Sequence, residues 1–161
     1  MKKDRKVRVL FICTGNSARS QISEGLLRKL AGDMVEVYSA GTEPAEQVNP
    51  FAKRVMAENG IDISSHYPKK VDQFLSMEFD IVVTTCDGAR QACPAFPGVA
   101  RNYHWDLEDP AAAEGTEEER MEVFRKTFAQ ISERAAEFIE VIRRIHSGEI
   151  PRKVLPGLPE V

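Results

Sequence analysis

The chain has 161 residues, 42% hydrophobic and 29% charged, with a formal net charge of −3. That length supports one domain with its own core, and the faintly acidic balance argues against nucleic acid or an anionic membrane as a partner. No apolar run reaches membrane-spanning length and none follows the charged start MKKDRK before the first strand, so a cytoplasmic protein with no membrane partner is expected.

In chain order, the apolar, β-branched run Val7 to Ile12 predicts a central parallel strand covered on both faces. It ends in Cys13, followed by Thr14, Gly15, Asn16, Ser17 and Ala18, and then by a helix over 18–30 that carries Arg19 and Ser20 in its first turn. A strand, tight loop and helix start of this kind turn backbone N–H groups toward one point, and the helix adds partial positive charge. Thr14 to Arg19 therefore form a nest for a tetrahedral oxyanion. Arg19 supplies a guanidinium fork, and the positive field favours thiolate at Cys13. A nucleotide-type phosphate loop is excluded, because no Gly-Lys-Ser/Thr follows. Taken singly, Cys13 reads as a core residue and Arg19 as a solvated one; their spacing around Gly15 favours the nucleophile loop.

The helix over 18–30 places Ile22, Leu26, Leu27 and Leu30 on one side, and Gly32 stops it. Met34 to Ala40 is a second strand. Asn49-Pro50 opens a helix that ends at Gly60 and turns Ala52, Val55 and Met56 to the sheet. Asp80 to Thr85 is a third, buried strand that delivers Cys86, and Arg101 to Trp105 a fourth. Thr116 and Glu119 fit a capping box, after which Met121, Phe124, Phe128, Ile131, Ala135, Phe138, Ile142 and Ile145 recur at helical spacing up to Gly148. This row reads as a covering helix, with a coiled-coil seam as the alternative. The fold class expected is α/β, a four-stranded parallel sheet with helices on both faces, forming one catalytic domain over 1–148 with a proline-bearing tail over 149–161.

Ligands of such sheets bind beyond the carboxyl ends of the strands, where Cys13 and Cys86 both lie. Three cysteines are an odd set, which favours reactive thiols over a disulfide framework. If the segment from Cys86 to Cys93 is helical, its ends lie about 10 Å apart, too far for a disulfide without unwinding. Gly88, Pro94 and Pro97 make that helix weak. Composition alone leaves an inert buried pair equally open, and the spacing matches no common zinc pattern, with His104 the only nearby imidazole. Asp109, before Pro110 on the loop leaving the fourth strand, is placed to act as a general acid, although Asp-Pro more often only starts a turn.

The run Cys13-Thr-Gly-Asn-Ser-Ala-Arg19-Ser20 resembles the nucleophile loop of low-molecular-weight protein tyrosine phosphatases, and Asp109-Pro110 is similar to their acid motif. Cys86, Cys93 and the HWDLEDPA segment resemble thioredoxin-coupled arsenate reductases of that same fold, over about Val7 to Ile145. The resemblance implies a relay in which Cys13 attacks arsenate, Cys86 attacks Cys13, Cys93 attacks Cys86, and thioredoxin reduces the resulting disulfide. It assigns Ser20 to the Cys13 thiolate and Asp109 to the departing oxygen, and it implies no cofactor. Of the potassium site of some members, Asn16, Glu24 and Ser39 match, while Lys69 stands in place of an aspartate, so no metal is expected. The alternatives are a phosphotyrosine phosphatase with a cysteinyl-phosphate intermediate, and a non-catalytic oxyanion sensor.

Overall fold

The computed structural model describes residues 5–93 and 101–152. Strands β1 (Val7–Cys13), β2 (Val35–Gly41), β3 (Ile81–Thr84) and β4 (Arg101–His104) form one sheet in the order β2-β1-β3-β4, every pairing parallel. Helices α1 (Arg19–Ala31), α2 (Pro50–Glu58), α3 (Asp87–Ala92) and α4 (Glu117–Ser147) cover it, with 3-10 turns over Val71–Phe74 and Pro110–Ala112.

Apart from Arg8, β1 is apolar because both of its faces are covered. Val7, Val9 and Phe11 join the larger core with Ile22 of α1, Val55 of α2 and Phe124, Ile131 and Ile142 of α4. Leu10 and Ile12 alternate into a second core with Val71, Phe74 and Ala89 of α3. This is the two-residue period of a central strand. The four-stranded parallel fold is as expected.

Local signals set the helix ends. Asn49 accepts the Phe51 amide at 2.8 Å ahead of Pro50 at the first helical position, a cap worth about 1 kcal/mol. Thr116 and Glu119 form the reciprocal capping box, both bonds at 3.1 Å. Gly148 ends α4 in the left-handed region at φ 86°. The apolar row of α4 is spent on the core rather than on a coiled-coil partner.

Leu30 is 48% exposed, against the expectation of a core position. The buried stripe of α1 runs from Leu27 to Ala31, four residues on, which leaves Leu30 on the flank. The chain also stays on the body past Gly148. Ile150 is buried, Arg101 donates to the Pro151 carbonyl at 3.0 Å, and Arg152 pairs with Asp80 at 3.3 Å. The rest of the expected tail, and Pro94 and Pro97, lie outside the described residues.

Candidate active site

The nest is built by turning every carbonyl of the loop outward. Those of Cys13, Thr14, Gly15 and Ser17 accept the amides of Thr42, Glu43, Ala45 and Asn49, at 2.8 to 3.2 Å. Gln21 takes the Asn16 carbonyl at 3.1 Å. With the carbonyls engaged, the loop amides face the other way, around Cys13 Sγ, which accepts the Asn16 N–H at 3.1 Å. Asn16 makes this turn at φ 49°, a left-handed conformation that asparagine tolerates. Close approach of the β2 end requires Gly41, where a Cβ would lie 2.6 Å from the Thr14 carbonyl oxygen. α1 begins behind the nest with no side-chain cap and no acidic residue in its first turn, so its free amides remain available to an anion.

Cys13 is 2% exposed, and its sulfur lies 2.9 Å from the Ser20 hydroxyl. The Asn16 amide nitrogen donates to Ser20 at 2.7 Å and to Ser39 at 3.0 Å, while its oxygen accepts from the Lys69 and Gln21 N–H groups. This fully bonded side chain fixes the loop. Below it, Ser39 donates to buried Glu24 at 2.5 Å, Arg28 reaches the same carboxylate at 2.6 Å, and the Lys69 ammonium stands 3.9 Å away. Burial pushes the Lys69 ammonium and the neighbouring His66 imidazole toward their neutral forms, and Glu24 pulls both back toward charge. The expected Asn16, Glu24, Ser39 and Lys69 are thus brought together, with the Lys69 amine 3.9 Å from Glu24.

Cys86 follows β3 and caps α3, its sulfur accepting the Ala89 N–H at 3.4 Å. The Thr14 hydroxyl is also 3.4 Å from that sulfur, so Cys86 borders the nest. Cys13, Cys86 and Cys93 all belong to the smaller core. All three are free. Cys93 ends α3 half-buried, and burial pushes its thiol up. The helical segment between Cys86 and Cys93 is the separated arrangement considered from sequence.

Asp109 caps the short turn over Pro110–Ala112, accepting the Ala111 N–H at 3.0 Å, with its side chain half exposed at the rim. Arg19 donates to the Leu107 carbonyl at 3.1 Å and stands 3.9 Å from the Asp109 carboxylate. The segment alternates: Trp105 and Leu107 are buried, while Asp106 and Glu108 face out. Trp105 is wedged between Phe11 and Phe138, ring centroids 5.2 and 5.6 Å away, which anchors the loop carrying Asp109.

Sequence reasoning missed the outer wrap over 42–49, Gln21 and the Leu107 carbonyl. Only Gln21, a polar side chain in an apolar helix face, carried a local signal.

The family model of the low molecular weight phosphotyrosine protein phosphatase matches residues 8–147. A protein named arsenate reductase from Halalkalibacterium halodurans is 48% identical over 132 residues, 82% of this chain and 94% of that one. The fold is similar to that of an arsenate reductase solved in its oxidized state, at TM-score 0.71 and 32% identity over 84% of this chain and 98% of the other. It is also similar to the thioredoxin-dependent arsenate reductase of Corynebacterium glutamicum, at TM-score 0.66 and 32% identity over 86% of this chain and 62% of that one. A loop after Cys13 wrapped by 42–49 and a match over nearly the whole described body lead to one conclusion: the chain belongs to the low molecular weight phosphotyrosine protein phosphatase family.

Proposed function

We propose that this chain is a cytoplasmic arsenate reductase that passes electrons through Cys13, Cys86 and Cys93 and is restored by thioredoxin. The observation that carries the reading is the position of Cys86, whose sulfur meets the Thr14 side chain of the anion loop. The arsenate reductases among its relatives and structural neighbours, one of them thioredoxin-dependent, support it.

Thr14, Gly15, Asn16, Ser17, Ala18 and Arg19 hold arsenate. The Cys13 thiolate, stabilised by Ser20, forms a sulfur–arsenic bond as an oxygen departs with the proton of Asp109. The Cys86 thiolate then attacks Cys13 sulfur. The sulfur–arsenic bond breaks, its electron pair stays on arsenic, and arsenite leaves as the Cys13–Cys86 disulfide forms. Cys93 attacks Cys86, releases Cys13 as thiolate and leaves a Cys86–Cys93 disulfide. The thioredoxin dithiol reduces that bond by the same exchange and is itself oxidised. Because α3 separates Cys86 from Cys93, the third step requires the helix to unwind.

The second reading is hydrolysis of aryl phosphates, favoured by the family model and by the Asp109-Pro110 acid motif. NADPH consumption in the presence of thioredoxin, its reductase and arsenate tests the first reading. Cys86→Ser should abolish that turnover while leaving aryl phosphate hydrolysis largely intact; undiminished arsenate turnover in the variant would overturn the relay through Cys86, and no arsenate-dependent NADPH consumption by the unaltered chain would leave the phosphatase as the better reading.

A further inference from the structure

At the end of β4 and the start of α3, Asp87, His104 and Asp106 bring one donor atom each within 4.8 Å of one another. His104 sits at the centre of this group. The Thr84 hydroxyl lies 2.7 Å from His104 Nδ1 and 3.5 Å from the Tyr103 carbonyl, so it can turn its proton to Tyr103 and accept from Nδ1–H. In that tautomer Nε2 carries a lone pair. That nitrogen is buried and makes no hydrogen bond, although the Asp87 carboxylate is 3.3 Å away.

In the Nδ1–H tautomer a lone pair faces the carboxylate, and a cation between them turns that repulsion into two bonds. The 3.3 Å approach is too poorly aligned for a hydrogen bond yet matches the spacing of two ligands on one ion. Bonds of about 2.0–2.1 Å at a tetrahedral ion put neighbouring donors about 3.4 Å apart. Donors up to 4.8 Å apart must close by about 1.4 Å to meet one such ion, which the exposed carboxylates can do by turning. The Thr84 contact supplies what metal-binding histidines ordinarily have, a partner on the other ring nitrogen that fixes tautomer and orientation.

We propose that Asp87, His104 and Asp106 form a divalent-cation site of the nitrogen-and-carboxylate class, with its remaining positions open to water. It differs from a thiol zinc site in using none of the cysteines, and it does not depend on the activity proposed above. An ion there ties the first residue of α3, next to Cys86, to the end of β4.

Manganese(II) alone is the probe, because it favours oxygen and imidazole donors over thiolates and broadens nearby NMR signals. Added to the reduced full-length protein, it should broaden the resonances of Asp87, His104 and Asp106 first and saturate. His104→Gln and Asp106→Asn should each weaken binding by about tenfold or more. Asp106 is exposed, so its variant decides the matter even where His104→Gln disturbs the fold. Broadening that persists unchanged in Asp106→Asn, spreads over the acidic surface or never saturates overturns the site.

Discussion

The Thr14 hydroxyl stands 3.4 Å from Cys86 Sγ, so a side chain of the anion loop touches the cap of the helix that separates the two later thiols. Thr14→Val keeps the loop amides and loses this contact. A lost hydrogen bond of about 1–1.5 kcal/mol predicts a five- to tenfold slower second step. Rapid-quench measurement of Cys13–Cys86 disulfide formation checks this, with arsenate binding unchanged.

Arg19 ties α1 to the loop that carries Asp109, through the Leu107 carbonyl and the Asp109 carboxylate, and in the proposed function it also holds the anion. Arg19→Lys keeps the charge and loses the planar fork. The expected loss in kcat/KM is about 10²-fold for any tetrahedral substrate, comparable to removal of an oxyanion donor. Steady-state kinetics with arsenate and an aryl phosphate should show parallel losses, and thermal unfolding should show little change.

The Lys69 ammonium, 3.9 Å from Glu24, occupies the neighbourhood where a monovalent cation would balance that buried carboxylate. The melting temperature and catalytic efficiency should therefore respond equally to potassium and sodium. Lys69→Asp should gain a potassium-specific rise in melting temperature. A large potassium effect on the unaltered protein would contradict the assignment.

Gly41 tests the wrap around the loop. In Gly41→Ala the new methyl meets the Thr14 carbonyl oxygen at 2.6 Å and the Asn16 amide nitrogen at 3.0 Å, both backbone atoms that cannot move aside cheaply. Overpacking of this kind costs about 1–3 kcal/mol. Urea unfolding should show that loss, and calorimetry should show weakened binding of inorganic phosphate.

His66 contributes a pH dependence of known sign. Burial outweighs the attraction of Glu24 and holds its imidazole below the ordinary value of 6.5 in the folded chain. The unfolded chain therefore takes up the proton first, so this contribution is present above pH 6.5 and is lost as pH falls through the lowered value. His66→Gln should flatten the fall in melting temperature on the acid side of 6.5, as read by calorimetry across that range.

What proved legible beforehand obeys rules acting within a few residues. The apolar run of β1, the Asn49 cap and the Thr116–Glu119 box each involve neighbours in the chain, so the residue types alone announce them. Leu30 was misplaced because the width of a buried stripe depends on what packs over it, which a helical period does not contain.

The order of residues determined that a cysteine, a glycine-bearing loop and a helix start would adjoin, and that the strands would need helices on both faces. It did so because backbone geometry and hydrophobic period are local. Only the tertiary structure decided that 42–49 turns the loop carbonyls outward, that Thr14 meets Cys86, that Arg19 holds the Leu107 carbonyl, and that Asp87, His104 and Asp106 converge. Those pairings join segments distant in sequence, and their partners are chosen by the order and register of the parallel strands.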